Sequence, residues 1–323
     1  MNRLLHIPAL LILILASCSY LHAQSTGMQF LNFAPNAQSL GLSEAHTAVP
    51  LGSSSIFTNP ALLAYEPTSS ATLSHRLWRT VSEQTTHATA NLNREYDVFG
   101  FGIISTFEDD IELRNTTGPS SGNIAIRYLS VAGAYARDFG PLSIGGTGMY
   151  LYEQLYHHNA SGFALTLGAA SHLFEERIRL GAALLNWGQM QDLIHEATKL
   201  PTSLRLGIDV QALQFSTTGT NEIPLLFVIS TDIVKPLNEI SEIESESNQI
   251  DIFRQDETYL NIGLRIEIAE ILVLRSGYKT NHPNRNISFG AGFEFNNIEF
   301  DYGFSPLDTG FGTIHGISLA YKF

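Results

Sequence analysis

Residues 287–295 read Ile-Ser-Phe-Gly-Ala-Gly-Phe-Glu-Phe, and this stretch decides the fold class. Every second residue is apolar, and the residues between them are small or polar. Successive side chains of a β-strand point to opposite faces, so the pattern predicts a strand with one apolar face. The same alternation occurs over residues 260–268 and 204–211, which indicates a protein built from such strands.

Strand length and number favour a membrane barrel over a soluble sheet. The alternating segments run for about ten residues, whereas strands of globular proteins usually have ~5–6 and a tilted membrane strand needs ~9–11. An even strand number closes a barrel without free edges, and hydrocarbon offers unpaired backbone groups no partner. We predict an all-β fold, a transmembrane antiparallel β-barrel of about fourteen strands over residues 69–323. The predicted strands are 69–79, 85–93, 97–107, 124–137, 141–153, 161–172, 177–187, 202–214, 222–233, 257–268, 271–279, 286–295, 297–304 and 314–323.

The connections between these strands alternate in length. Even-numbered connections are short, as at 138–140, 269–270 and 296–297, whereas odd-numbered ones are mostly long, as at 108–123 and 234–256. Outer-membrane barrels have short periplasmic turns and long extracellular loops. The alternation therefore predicts the orientation of the barrel in the outer membrane.

Composition excludes several other classes. The chain of 323 residues has 44% hydrophobic and 10% aromatic residues, too many for a disordered protein. Beyond the N-terminus no apolar run reaches the ~18 residues of a membrane helix. Lysine and arginine number 18 against 31 acidic residues, a net charge of −13, so nucleic acid is not an expected partner.

Residues 1–23 resemble an export signal, because Arg3 precedes a short apolar core at 7–16. Two processing sites remain open. Cleavage after Ala23 is favoured, since a barrel gains nothing obvious from a lipid anchor. The alternative is lipidation of Cys18, which ends a Leu-Ala-Ser-Cys sequence and is the only cysteine of the chain.

Residues 24–68 precede the first strand and lack its alternation. Fourteen strands enclose a lumen wider than the eight-stranded barrels that side chains alone can fill. We predict that this segment is a compact plug in the lumen, with Asn59, Pro60, Ala61 and Leu62 as its motif. A periplasmic tail is the alternative. A plug argues against a passive porin.

The last strand ends the chain with Leu319, Tyr321 and Phe323 on one face. An amphipathic last strand with a terminal aromatic residue is typical of outer-membrane barrels. We predict that these three residues form the signal for insertion into the membrane, whose lipid is an expected partner.

Both ends of the chain carry short motifs in a defined order. The N-terminal motifs are Phe-Leu-Asn-Phe-Ala-Pro-Asn-Ala-Gln-Ser-Leu-Gly at 30–41 and Asn-Pro-Ala-Leu-Leu at 59–63. The C-terminal motifs are Leu-Arg-Ser-Gly-Tyr at 274–278, Asp-Tyr-Gly-Phe at 301–304 and Gly-Thr-Ile-His-Gly-Ile-Ser-Leu at 312–319. Together these motifs resemble those of the PorV/PorQ family. The chain departs from that family at position 38, where glutamine stands in place of the usual arginine, and at 42–43, where Leu-Ser replaces a common Met-Gly pair.

The resemblance implies a fourteen-stranded barrel similar to the fatty-acid channel FadL. It also implies an accessory or shuttle role in type IX protein secretion and surface attachment, with translocon or attachment subunits and cargo C-terminal domains as partners. The alternative function is a FadL-like channel for hydrophobic small molecules. A cavity lined by leucine and phenylalanine next to a strand kink would favour that alternative, and a lumen filled by polar side chains with no apolar pocket would exclude it.

The residues predict no catalytic, cofactor-binding or metal-binding set, so we do not expect an enzyme or a cofactor. The most acidic loop carries Glu239, Glu242, Glu244 and Glu246. It is interpreted as a solvated loop, and the alternatives are a docking surface for a basic partner segment or cation bridges with lipopolysaccharide.

Two further expectations concern the barrel wall. Residues 145–148 read Gly-Gly-Thr-Gly, and the glycines are expected to face the lumen and ease strand curvature. Arg275 and Asp301 are expected to point inward, because a charge on the lipid face near mid-bilayer costs ~2–4 kcal/mol.

Overall fold

The computed structural model describes residues 28–78, 80, 83–112, 123–174, 176–193, 197–217, 222–237, 257–282, 285–307, 310 and 312–323. The predicted signal with Cys18 lies outside these residues, and so does the acidic stretch of the 234–256 loop. In the described ranges no helix combines the length and apolarity needed to cross a membrane.

Antiparallel strands form a closed barrel in which each strand pairs with the next and β1 pairs with β14. This confirms the predicted fold class. The strands are β1 (Ser70–Trp78), β2 (Glu83–Arg94), β3 (Asp97–Glu112), β4 (Asn123–Asp138), β5 (Leu142–Leu155), β6 (His158–Leu173), β7 (Ile178–Met190), β8 (Ser203–Ser216), β9 (Pro224–Pro236), β10 (Tyr259–Ile268), β11 (Leu272–Lys279), β12 (Ile287–Phe295), β13 (Ile298–Pro306) and β14 (Thr313–Lys322).

The apolar face of each strand points away from the barrel. On β12, Ile287, Phe289, Phe293 and Phe295 are 45–61% exposed, while Ser288 between them is buried against the lumen contents. A soluble sheet would bury its apolar face instead. The exterior is therefore built to contact lipid, as the alternation predicts.

Two arginines of β4 mark the thickness of the apolar band. Arg137 forms an outward ion pair with Asp97 of β3, 3.5 Å apart, at the end where the strands join by short turns. Arg127 lies ten residues away on the same outward face, and Val131 and Tyr135 are exposed between them. Ten residues of a strand tilted by about 40° rise roughly 25 Å, which matches the apolar band of outer-membrane barrels.

Short turns and the ends of the barrel chain lie at the same rim. Ser70 at the start of β1 pairs with Lys322 at the end of β14, and the short turns after β2, β4, β6, β10 and β12 close the same end. This is the periplasmic rim. Two connections depart from the pattern. β5 and β6 join at the opposite rim through Tyr156 and His157 alone, and the connection from Ser216 of β8 to Pro224 of β9 is longer than the other even-numbered ones.

Residues 28–68 lie in the lumen, and we call this segment the hatch. Its regular parts are three 3₁₀ helices, Gln29–Asn32, Ser54–Phe57 and Pro60–Tyr65, and the short helix α1, Ala37–Gly41. Asn36 begins α1 by accepting a 2.9 Å hydrogen bond from the Ser39 amide, a capping contact that short helices need. These residues contact the inward faces of the strands.

Candidate functional site: the hatch and the lumen

Lumen-facing glycines let the hatch backbone touch the barrel wall. A Cβ atom on Gly145 would lie 2.6 Å from the Pro60 carbonyl carbon, and one on Gly303 would lie 2.6 Å from the Ala37 oxygen. No real Cβ tolerates such a contact, so side chains are excluded at these positions. The hatch approaches further wall glycines, namely Gly100, Gly102, Gly168, Gly181, Gly207, Gly263, Gly277, Gly290 and Gly316.

The glycines of residues 145–148 do not share one face. Gly145 contacts the hatch, but a Cβ on Gly148 would meet nothing within 4 Å, because this residue faces outward. The expectation that all of them face the lumen is wrong, since side chains alternate along β5. Gly145 allows the hatch backbone to approach the wall closely, and Gly148 leaves the exterior without a side chain at its position.

The predicted plug motif ties the hatch to β5 and β6. The Asn59 side-chain amide donates to the carbonyls of Thr47 and Ala169 at 2.8 and 3.2 Å, and its oxygen accepts from the Ala61 amide at 3.2 Å. Pro60 begins the last 3₁₀ helix, where its missing N–H costs nothing. Leu62 is fully buried against Ala170. The four motif residues therefore act as a structural anchor.

Glu44 of the hatch is buried between two cations of the wall. Its carboxylate accepts hydrogen bonds from Lys279 and from Arg285. Burial alone would raise the pKa of Glu44, but Arg285, Lys279 and Arg205 together hold this pKa well below its usual value. Ser43 and Glu44 both have left-handed backbone angles, φ +51° and +64°, which non-glycine residues rarely adopt.

Side chains of neighbouring strands hold this left-handed turn in place. Ser288 of β12 accepts a 2.8 Å hydrogen bond from the Ser43 amide, and Asn261 of β10 donates a 3.0 Å bond to the Glu44 carbonyl. Such strain persists only where the surroundings over-determine the conformation. Hydrogen bonds to β10 and β12 therefore fix the conformation of this turn.

His46 is a second buried polar contact of the hatch. Its Nε2 accepts from the Arg205 guanidinium at 2.9 Å, so Nδ1 carries the proton toward Ser39 Oγ at 2.6 Å. Burial lowers the pKa of His46 well below its usual value, and Arg205 lowers it further. Asp232 of β9 accepts from the backbone amides of His46 and Thr47, both at 2.9 Å.

Arg275 and Asp301 both point into the lumen, which confirms their expected direction. Arg275 Nη1 donates to Asp301 Oδ1 at 2.5 Å, and both side chains are buried. The amide of Gln38 in the hatch donates to Asp301 Oδ2 at 3.2 Å. Gln38 stands where the PorV/PorQ motif that it resembles usually has arginine. It therefore contacts Asp301, the ion-pair partner of Arg275 in the wall.

The side of the lumen between β3 and β7 differs in being apolar. Phe30 of the hatch stacks on Tyr128 of β4, with ring centroids 5.1 Å apart. We call this region the apolar sector. Its buried members include Met28, Phe30, Ile56 and Phe57 of the hatch and Ile104, Ala132, Met149, Leu151, Ala164, Met190 and Leu200 of the wall and loops.

Strand irregularities border the apolar sector on both sides. The pairing of β3 with β4 shifts between Glu108 and Ile111. The pairing of β6 with β7 shifts between Leu165 and Leu167, beside Asn186, whose φ is +55°. Bulges interrupt ladder hydrogen bonds and bend the wall, so the wall is irregular on both sides of the sector.

The periplasmic end of the lumen is polar. A cavity of about 520 Å³ opens there beneath the hatch. Arg179 and Arg265 line it beside the buried Asp209. Arg179 forms an ion pair with Asp209, with 3.2 Å between Nη2 and Oδ2. Its further charged lining includes Glu66, Glu267, Glu294, Glu299 and Lys322. The lumen beside β10–β14 is therefore charged at this rim.

The predicted insertion residues lie together on the exterior of β14. Leu319, Tyr321 and Phe323 are 51–56% exposed, and the rings of Tyr321 and Phe323 stack with centroids 6.1 Å apart. Their role in insertion stays a prediction.

In the part of the chain that the structure describes, no group of three or more His, Cys, Asp or Glu side chains could hold a metal ion.

The sequence analysis missed the apolar sector. Its signal was the loss of alternation where apolar residues follow one another, as at Ile103-Ile104 of β3 and Met149-Tyr150-Leu151 of β5. There the outward residue contacts lipid and the inward residue contacts the hatch. A search for alternating apolar and polar residues identifies a strand, but it overlooks strands whose inward face is apolar as well.

The fold is that of an outer-membrane barrel, and among such barrels it has the 14-strand, FadL-like form. No family model matches the chain, and no curated protein matches it. Similar solved structures include the CymD monoaromatic hydrocarbon channel, with 12% identity and a TM-score of 0.59, covering 89% of this chain and 97% of that one. The Ralstonia pickettii toluene transporter TbuX (12%, 0.57) and the P. putida toluene transporter TodX (11%, 0.56) each cover 89% of this chain and 98% of their own.

Proposed function

We propose that the chain is an outer-membrane channel for hydrophobic small molecules. The observation that carries this proposal is the apolar sector, in which Phe30, Met149, Leu151 and Met190 present apolar side chains inside a barrel whose exterior already faces lipid. A passive aqueous pore has no use for such an interior. Ligand sites are lined mainly by apolar and aromatic side chains, which is the composition of this sector.

The solved structures support the same proposal. The similar barrels are described as a monoaromatic hydrocarbon channel and as toluene transporters. The bulges of β3 and β7 give the wall beside the sector fewer ladder hydrogen bonds to break. Passage then requires a local shift of the hatch or wall, because the hatch backbone contacts the glycines around the lumen.

Uptake of radiolabelled toluene tests this function. Escherichia coli cells that express the full chain should take up toluene faster than cells with an empty vector. Ala132→Phe fills the apolar sector and should reduce uptake at least ~10-fold, since overpacked side chains displace their neighbours. Val131→Phe changes the adjacent residue, which is 45% exposed to lipid, and should leave uptake unchanged. Equal uptake in expressing and empty cells would contradict the proposal.

A second candidate function is the accessory or shuttle role in type IX secretion. The specific feature that favours it is that the motifs shared with the PorV/PorQ family form the hatch contacts themselves, as in Gln38 with Asp301 and Asn59 with Ala169. A tightly seated hatch suits a protein that conducts nothing. The proposed partners are translocon or attachment subunits and cargo C-terminal domains.

Affinity purification from outer membranes of the native cell tests this second role. Co-purification of translocon or attachment subunits would support it, and their absence from a mildly solubilised complex would count against it. A deletion strain gives the independent measurement, because cargo with C-terminal sorting domains should then accumulate in the periplasm. Normal surface display in that strain would contradict the role.

A further inference from the structure

A groove lies on the outer face of β3, β4 and β5, outside the lumen. Its volume is about 460 Å³, within the ~300–1,000 Å³ of ligand pockets. It borders Thr106 and Tyr128, whose side chains point inward, and six outward-facing residues, namely Ser105, Phe107, Arg127, Leu129, Tyr152 and Gln154. The outward direction follows from the alternation of side chains along a strand, because Ile103, Val131 and Tyr150, two residues further along the three strands, are 42–46% exposed.

The strand register places the lining side chains in two adjacent rows. In one row Arg127 of β4 lies opposite Phe107 of β3. In the next row Leu129 of β4 lies between Ser105 of β3 and Tyr152 of β5. Neighbouring strands are ~4.8 Å apart, and successive outward residues of one strand are ~6.8 Å apart. One charged headgroup with an attached acyl chain is large enough to contact both rows.

Arg127 is the charged member of the lining, and it lies at the level of lipid headgroups. It ends the apolar band at the extracellular side, where a lipid-facing arginine costs least. Among the described residues Arg127 forms no ion pair, whereas Arg137, at the periplasmic end of the same outward face, is paired with Asp97 at 3.5 Å. The guanidinium of Arg127 is exposed and is therefore available to an anionic group in the outer leaflet.

The rim beside this groove is unusually low. β5 and β6 join there through Tyr156 and His157 alone, at the end of the barrel where long loops are the rule. No long loop therefore rises from these two strands. A headgroup that lies against Arg127 can extend over the rim on this side.

We propose that the groove binds a phosphorylated lipid of the outer leaflet, the lipid A part of lipopolysaccharide. A phosphate would contact Arg127, because the planar fork of a guanidinium fits phosphate oxygens. An acyl chain would lie along Phe107, Leu129 and Tyr152. The charges are complementary, since no carboxylate is among the lining residues. This inference rests on the outer-membrane fold and not on the proposed channel function.

Native mass spectrometry of the purified full chain, released from detergent and titrated with diphosphoryl lipid A, tests the proposal. Arg127→Gln should need about tenfold more lipid A than the wild type for the same occupancy, because a hydrogen bond to a charged group is lost. Arg137→Gln is the matched control, since it removes an arginine from the same face of the same strand at the other rim. It should bind like the wild type.

A second pair of variants tests the apolar part of the groove. Ser105→Trp fills the groove and keeps the guanidinium, so it should weaken lipid A binding several-fold. Ile103→Trp adds the same ring at the next outward position of β3, which lies outside the groove, and should not change binding. Folding of every variant is checked by the heat-dependent shift of barrels in gels.

Three results would overturn the inference. The first is equal occupancy of the wild type and Arg127→Gln, or of the wild type and Ser105→Trp. The second is displacement of lipid A by an excess of inorganic phosphate, which would assign the site to a free anion. The third is a dimer that Arg127→Gln abolishes, which would assign this face to a second copy of the chain. Toluene uptake should be equal in cells with the wild type and with Arg127→Gln, so these results leave the channel function untouched.

Discussion

Glu44 shows how single residues fix the hatch in the lumen. Its partners Lys279 and Arg285 are 235 and 241 residues away in the chain, so no local pattern could have predicted the contact. The inward direction of Arg275 and Asp301 could be predicted, because it needs only the cost of a charge in lipid. Which inward charges then pair depends on the closure of the barrel.

Removal of the Glu44 charge should destabilise the barrel. Glu44→Gln leaves two cations buried without their counter-charge, and breaking a buried ion pair costs ~3–5 kcal/mol. The free energy of unfolding by urea in lipid vesicles measures the effect. Glu95→Gln, in the exposed turn after β2, should change this free energy by less than ~0.5 kcal/mol. A loss below ~1 kcal/mol for Glu44→Gln would show that the pair does not secure the hatch.

His46 should make the stability depend on pH. Its pKa is lowered in the folded chain, while the unfolded chain keeps a pKa of ~6.5 and binds the proton first. The contribution of His46 to the free energy of unfolding is therefore fully present above pH 6.5. It falls as the pH drops below this value, by up to ~1.4 kcal/mol per pH unit.

Unfolding at pH 7.5 and 5.5 checks the contribution of His46. The wild type should lose about 1 kcal/mol more than His46→Gln between these values. His157→Gln, in the exposed turn between β5 and β6, should behave like the wild type. An identical loss in His46→Gln and the wild type would refute the assignment.

At the scale of elements, the strands were predictable and the hatch helices were not. Alternation over residues 260–268 and 287–295 follows from the two environments of a barrel wall, lipid and lumen, and therefore survives in the sequence. Helix α1 has only five residues, Ala37–Gly41, too few to be stable alone. It forms because Asn36 caps it and the wall buries it.

Two glycines of β5 provide a matched test of hatch packing. Gly145→Ala places a methyl group 2.6 Å from the Pro60 carbonyl carbon and should reduce the free energy of unfolding by ~1–3 kcal/mol through overpacking. Gly148→Ala points outward into open space and should change it by less than ~0.5 kcal/mol. Equal effects of the two substitutions would mean that the hatch does not press on the wall.

At the scale of the whole molecule, the lumen is divided into a charged side and an apolar side. Ion pairs such as Glu44 with Lys279 hold the hatch on one side, and the apolar sector around Phe57 and Leu151 lies on the other. The closed barrel, its orientation and the presence of a plug follow from strand count and connection length. The division of the lumen could not be predicted in this way, because it depends on which strands the folded hatch contacts.

The apolar sector is the central claim of this account, and a crystal structure of the barrel soaked with bromobenzene tests it most directly. The bromine atom can be located by its anomalous scattering. We predict a bromine peak between the hatch and β3–β7, in contact with Phe57, Met149 or Leu151. A peak confined to the charged periplasmic cavity, or no peak inside the barrel, would contradict the claim.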